Sequence, residues 1–178
     1  MTDPNHAQCE LADSDDLAGE GALAAITLVG LPALCPPGRT SLGLMVWRRR
    51  FPGRADQIAS ARGLVRQLLA DTACADDAAW VTGELSTNAV VHSRSGRTGG
   101  FVLVEVTRCP HVARVAVYDL GGGGTPRVRE QRPGTPTRER GYGLYGVRLL
   151  SVRSGVSGDS INGHVVWAQL ALSPGQHA

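Results

Sequence analysis

Residues 84–92 read Glu84-Leu-Ser-Thr-Asn88-Ala-Val-Val-His92, and two glycine loops follow, Asp119-Leu-Gly121-Gly-Gly123-Gly and Gly141-Tyr-Gly143-Leu144. On a helix, side chains four residues apart lie on one face, so Glu84 and Asn88 reach the same space. A carboxylate there can take a proton from an attacking hydroxyl or water. The neutral amide oxygen of Asn88 is a hard ligand suited to a magnesium ion that keeps some waters and touches substrate phosphates.

The run Val115-Ala-Val-Tyr-Asp119 reads as a short apolar strand that ends in a carboxylate and passes into four glycines. A buried carboxylate at that point can accept a hydrogen bond from an exocyclic amine such as that of adenine, and glycine allows the backbone to approach a flat ring. Gly141-Tyr-Gly143-Leu144 runs into a helical pattern, whose first N–H groups would face anionic phosphates. Taken singly, each piece also has an ordinary structural use: a solvated helix face, a turn after a strand, a tight connection before a helix. Their order and spacing, in a helix–strand–loop–helix context, point to a single nucleotide pocket.

On these motifs the chain resembles the ATP-binding domain shared by DNA gyrase, the ninety-kilodalton heat-shock chaperones, histidine kinases and the mismatch-repair ATPases, known as the GHKL type. Within that superfamily it is most similar to the small anti-sigma factor serine/threonine kinases, over about residues 47–172. The resemblance implies an α+β fold of the Bergerat type, a two-layer α/β sandwich with helices over one mixed sheet and ATP between the layers. It implies that Glu84 is the general base and that Asn88 ligates Mg2+. It further implies that Asp119 binds adenine, that Gly121 and Gly123 shape the adenine loop, and that Gly141, Gly143 and Leu144 line the phosphates. His92 falls where these kinases also carry histidine, and it equally suits a helix end. The family's phosphate-contacting basic residue before the second glycine loop has two candidates, Arg138 and Arg140. Members usually carry a threonine in a Gly-x-Thr-Val-Trp pattern of the last strand, and Gly163-His-Val165-Val-Trp167 replaces it with valine, which implies a weaker hold on adenine.

Composition narrows the alternatives. The 18 basic residues are all arginine, which excludes a P-loop lysine and a Schiff-base lysine and leaves phosphate recognition to the planar guanidinium. With only 3 Trp, 3 Tyr and 2 Phe, a stacking platform for single-stranded nucleic acid is poorly supported, and no direct nucleic-acid partner is expected. Cys9, Cys35, Cys74 and Cys109 show no metal-ligand spacing and read as thiols of a reducing cytosol, so a cytoplasmic location is expected.

Residues 1–38 carry six acids and no arginine, net −6, whereas residues 39–178 carry 18 arginines and 10 acids, net +8, which together give +2. The expected organisation is a flexible acidic and apolar extension over residues 1–40, an ATP-binding domain over 41–173, and a tail over 174–178. The apolar run of 14 residues at 22–35 is too short for a membrane span and follows acids instead of a basic signal region.

Within the domain, residues 42–51 suggest an opening strand. Ile58, Ala61, Val65, Leu68 and Leu69 form a helical stripe, and Asp76 is placed to cap the next helix. Residues 101–107 and 112–119 read as strands joined at Pro110. Residues 143–152 read as a helix, and 164–172 as a last strand with Trp167 buried. The arginine- and proline-rich stretch 125–140 falls where the family has a lid over the phosphates.

The resemblance implies that the protein binds a sigma factor and phosphorylates a serine or threonine of an anti-sigma factor antagonist, with a homodimer as a further family expectation. An ATP-binding or ATP-independent partner-switching module without phosphotransfer is the alternative. A histidine kinase is disfavoured, because no long helical hairpin carries a phospho-accepting histidine.

Overall fold

The computed structural model describes residues 45–126 and 143–172. The chain opens with strand β1 (Met45–Pro52), crosses one face as helices α1 (Ala55–Leu68) and α2 (Ala75–His92), and makes a 3-10 turn at Arg94–Gly96. It then forms β2 (Phe101–Arg108) and β3 (Val112–Tyr118), and later helix α3 (Gly143–Leu150) with strands β4 (Arg153–Asp159) and β5 (Gly163–Ala171). The five strands make one sheet in the order β1-β2-β3-β5-β4. The expected α+β two-layer sandwich is present.

The expected mixed pairing is corrected: each neighbouring pair of described strands is antiparallel. Connections explain this. Two helices between β1 and β2 return the chain to the end it left, so β2 runs back along β1. The connection through α3 does make β3 and β4 run the same way, but β5 folds back from β4 and inserts between them. A hairpin needs only a tight turn, whereas adjacent parallel strands need a crossover between them.

The core follows from two periodicities. Alternate residues of the central strands, Val102, Val104 and Val106 on β2, Val115 and Val117 on β3, and Val166, Ala168 and Leu170 on β5, face the helices. Opposite them stand Ala61, Val65 and Leu69 from α1 and its end, and Ala78, Val81, Leu85 and Ala89 from α2, spaced three or four apart. Truncation of one such leucine, Leu85, to alanine removes packing on the order of 2–5 kcal/mol. Gly83 lets the helices approach, since a Cβ there would meet Cδ of Arg62 at 2.9 Å.

Two further expectations are corrected. Asp76 does not cap α2: Cys74 holds the N-cap position without a side-chain cap, and Asp76 lies inside the first turn, where its Oδ1 accepts from Arg66 Nε at 2.7 Å. There it still complements the positive end of the helix dipole. Trp167 is half-buried and faces away from the helices, because strand alternation turns its neighbours Val166 and Ala168 into the core. Strand β4 was not expected at all. Residues 1–40, the stretch 127–140 with Arg138 and Arg140, Gly141, and 174–178 lie outside the described residues. Among the described residues, no helix is long and apolar enough to cross a membrane.

The middle of the sheet face turned from the helices holds buried polar side chains, while its edges on β1 and β4 are exposed. Glu105, 3% exposed, accepts from Arg48 Nε at 2.6 Å and from the Tyr118 hydroxyl at 3.2 Å. Burial first, and then the Glu105 charge, push the Tyr118 phenol from 10.0 up to about 12. An unfolded tyrosine therefore gives up its proton at lower pH than native Tyr118, so the native state binds more protons in that interval and stability falls as pH rises from 10.0 to about 12. Tyr118→Phe, with no proton to lose, is expected to flatten that alkaline decline in denaturant unfolding, and an unchanged slope would show that other groups cause it.

Candidate nucleotide site

Helix α2 carries one half of the site. Core packing of Leu85 and Ala89 turns the adjacent face outward, and Trp80, Glu84 and Asn88 repeat along it at intervals of four. Glu84 and Asn88 are each half-buried, and neither side chain is committed to a hydrogen bond or ion pair with a described residue. The start of α3 lies against this stripe. A Cβ on Gly143 would run into the Glu84 carboxylate, and one on Gly146 into the Trp80 ring, so the two glycines permit the approach. Leu144 packs its side chain against the core, which leaves only its backbone to meet a ligand.

The other half is built where β3 ends. The Asp119 side chain is 7% exposed. Its Oδ1 accepts from Gly121 N at 2.6 Å and from His164 N at 2.9 Å, while Asp119 N donates to His164 O at 2.9 Å. Oδ2 accepts nothing from the described residues. The carboxylate is thus gripped through one oxygen and offers the other. Gly121 and Gly122 adopt φ of +65° and +83°, the left-handed region that disfavours a side chain, and a Cβ on Gly121 would meet Ser160 O at 2.6 Å. Gly123 backs onto the carbonyl oxygen of His92. The His92 side chain itself is exposed at the end of α2, as a helix-end residue would be.

A connection absent from the sequence reading joins the halves. Directly after α2, Arg94 N donates to Gly121 O at 2.7 Å, Arg94 Nε to Leu120 O at 2.9 Å and Nη2 to Ile161 O at 2.6 Å. Leu120 N in turn donates to Ser95 Oγ at 3.0 Å. The stem of Arg94 lies over Gly122, where any Cβ would displace it. The helix bearing Glu84 and Asn88 is therefore tied to the Asp119 loop through the 3-10 turn. The only sequence signal was the polar Ser93-Arg94-Ser95-Gly96 run after the helix. Arg94→Ala removes two exposed side-chain bonds worth about 1 kcal/mol each, so the fold is expected to persist while nucleotide affinity falls about tenfold. Calorimetry beside a melting curve checks this, and unchanged affinity would mean that the clamp does not position the loop.

The last strand corrects one inference. Val165 stands in register with Tyr118, on the face away from the helices, so valine there does not weaken the pocket. The inward residue beside Asp119 is His164, 2% exposed, with Nδ1 at 3.6 Å from Asp119 Oδ1 and Nε2 without a hydrogen-bond partner. An orphaned buried nitrogen beside an unengaged carboxylate oxygen, next to glycine backbone, fits the polar edge of a planar base. Among the described residues, no cluster of three or more His, Cys, Asp or Glu could hold a metal. Asn88 alone suits a magnesium ion whose remaining ligands are waters and phosphate oxygens.

A family model described as a histidine kinase-like ATPase domain matches residues 51–169, which run from Phe51 in β1 to Gln169 in β5 and include both halves of the site. None of the curated proteins matches the chain. Domains of the matched family bind ATP, in keeping with the residues gathered at Asp119 and along α2. With well over half its length inside that match, the chain belongs to the histidine kinase-like ATPase domain family.

Proposed function

We propose that the protein is an ATP-dependent regulator of the anti-sigma type, which binds a sigma factor and phosphorylates a serine or threonine of that factor's antagonist. The observation that carries the reading is the pair Glu84 and Asn88, uncommitted and side by side on α2, facing the start of α3 and tied through Arg94 to the Asp119 loop. Mg-ATP supplies the transferable phosphoryl group. Asp119 Oδ2 accepts from the exocyclic amine of the base, and His164 closes the pocket beside it. Asn88 is the residue that would hold Mg2+, whose charge would neutralise the phosphates beside α2. Glu84 is then placed to take the proton from a substrate hydroxyl. Arg138 and Arg140, from the stretch outside the described residues, are the candidates to steady the phosphoryl group.

The alternative without phosphotransfer rested on Val165 and on the lid stretch; Val165 no longer speaks for it, because it faces the other side of the sheet, and residues 127–140 of the lid stretch lie outside the described residues. Mg-ATP titration by calorimetry, followed by incubation with labelled ATP and a serine-bearing antagonist domain, tests the proposal. Failure to bind Mg-ATP would sink it entirely. Binding with no label moved to any antagonist would leave only the partner-switching alternative.

A further inference from the structure

The far face of the sheet holds a row of side chains that nucleotide binding does not use. Thr107, Arg114 and Gln169 stand in register across β2, β3 and β5. They are 1%, 7% and 6% exposed, although the helices bury their core residues on the opposite face. The Arg114 guanidinium lies 4.6 Å from the centre of the Trp167 ring, a cation–π contact that fixes its plane. Its Nε has no hydrogen-bond partner, and neither has Oγ1 of Thr107 directly across the strand pair.

Both groups are hard to leave unmet. A buried donor without a partner is costly, and a buried charge without one more so. The acid on this face is already engaged, since Glu105 accepts from Arg48 and Tyr118. Side chains directly opposite on antiparallel strands have Cβ atoms about 4.5–5.5 Å apart, close enough for one small group to meet both. That group must accept from a guanidinium and from a hydroxyl. A water molecule could accept from both donors, but the Glu105 charge that favours the Arg114 cation is already paired with Arg48, so an oxyanion meets both donors and adds the negative charge that the face lacks. Arg48, Arg50 and Arg153 share this face by register with Glu105, Leu103 and Gln169, so its surplus charge is positive and draws anions.

We propose that Thr107 and Arg114 form an oxyanion site on the sheet face opposite the nucleotide, which takes one carboxylate or phosphate group. The site is independent of the proposed kinase activity. Its test is thermal unfolding of the full-length protein at constant ionic strength in chloride, acetate or inorganic phosphate, for the wild type, Thr107→Val and Arg114→Met. Thr107→Val keeps the shape and removes only the hydroxyl, so it carries the test even if Arg114→Met fails to fold. In an excess of the preferred oxyanion, the wild-type midpoint is expected to rise by about 5 °C relative to chloride. Thr107→Val should lose much of that rise, and a folded Arg114→Met all of it. General salting effects act on all three proteins alike, and phosphate bound at the nucleotide site is equally common to them, so only the difference between proteins counts. A rise in phosphate alone identifies a phosphate ligand; an equal rise in acetate identifies a carboxylate. The same anion dependence in the wild type and Thr107→Val would overturn the proposal and leave an adventitious ion only.

Discussion

Asp119→Asn is expected to lower Mg-ATP affinity by about a hundredfold or more while the melting temperature stays close to that of the wild type. The two effects separate because the two carboxylate oxygens do different work. Oδ1 accepts from Gly121 N and His164 N, and the asparagine carbonyl oxygen can accept the same two bonds. The second oxygen becomes an amide N–H, so a donor would then face the exocyclic amine of adenine, itself a donor. A hydrogen bond involving a charged group is worth about 1.5–3 kcal/mol, and the donor facing a donor adds desolvation cost. Asp119→Ala should behave differently. It strands both backbone donors in a site that is 7% exposed, at about 1–3 kcal/mol each, so stability falls along with affinity. Calorimetry and thermal melting on both variants decide the matter. If Asp119→Asn binds Mg-ATP as the wild type does, the base is read elsewhere.

The helices and the central strands were legible because their periodicities leave little choice. Ala61, Val65 and Leu69 of the predicted stripe are buried and Leu68 packs against them, with Ile58 half-buried at its start, and the valine-rich runs of β2 and β3 bury the side that the pattern predicts. Glu84, Asn88 and Asp119 were legible as chemistry because their residue types are uncommon in that order. What stayed hidden depends on tertiary context. Arg153-Ser-Gly-Val-Ser-Gly-Asp159 has little strand propensity of its own, and it becomes β4 because β5 offers a complete ladder of partners.

Strand parity was the second limit. A shift of one residue exchanges the faces of a strand, and nothing in Gly163-His-Val-Val-Trp167 states which parity holds. Pairing with β3 settles it, turning His164 inward beside Asp119 and sending Val165 and Trp167 outward. Arg94 marks the third limit. It is an exposed arginine in a polar turn, and only the fold brings Leu120 and Ile161 within its reach.

Glu84→Gln carries the other large effect. It should leave Mg-ATP affinity and stability near wild type and reduce phosphotransfer by about 10²–10⁴-fold, the range for loss of a positioned general base. The substitution suits the test because Glu84 is half-buried and bound to no described group, so an amide of equal size replaces it without a structural penalty. Helix α2 continues to present Asn88 one turn away, which preserves the metal ligand. What disappears is the capacity to accept the proton of the incoming hydroxyl.

Gly143→Ala offers a check from the opposite side. Its methyl group would occupy the place of the Glu84 carboxylate and push a flexible side chain aside without touching its charge. If position matters as well as basicity, that variant too should transfer phosphate slowly while binding nucleotide. Transfer at the wild-type rate by Glu84→Gln would remove Glu84 from the chemistry. A parallel loss of binding would instead show that the carboxylate holds the nucleotide or its metal, and the base would have to be sought elsewhere.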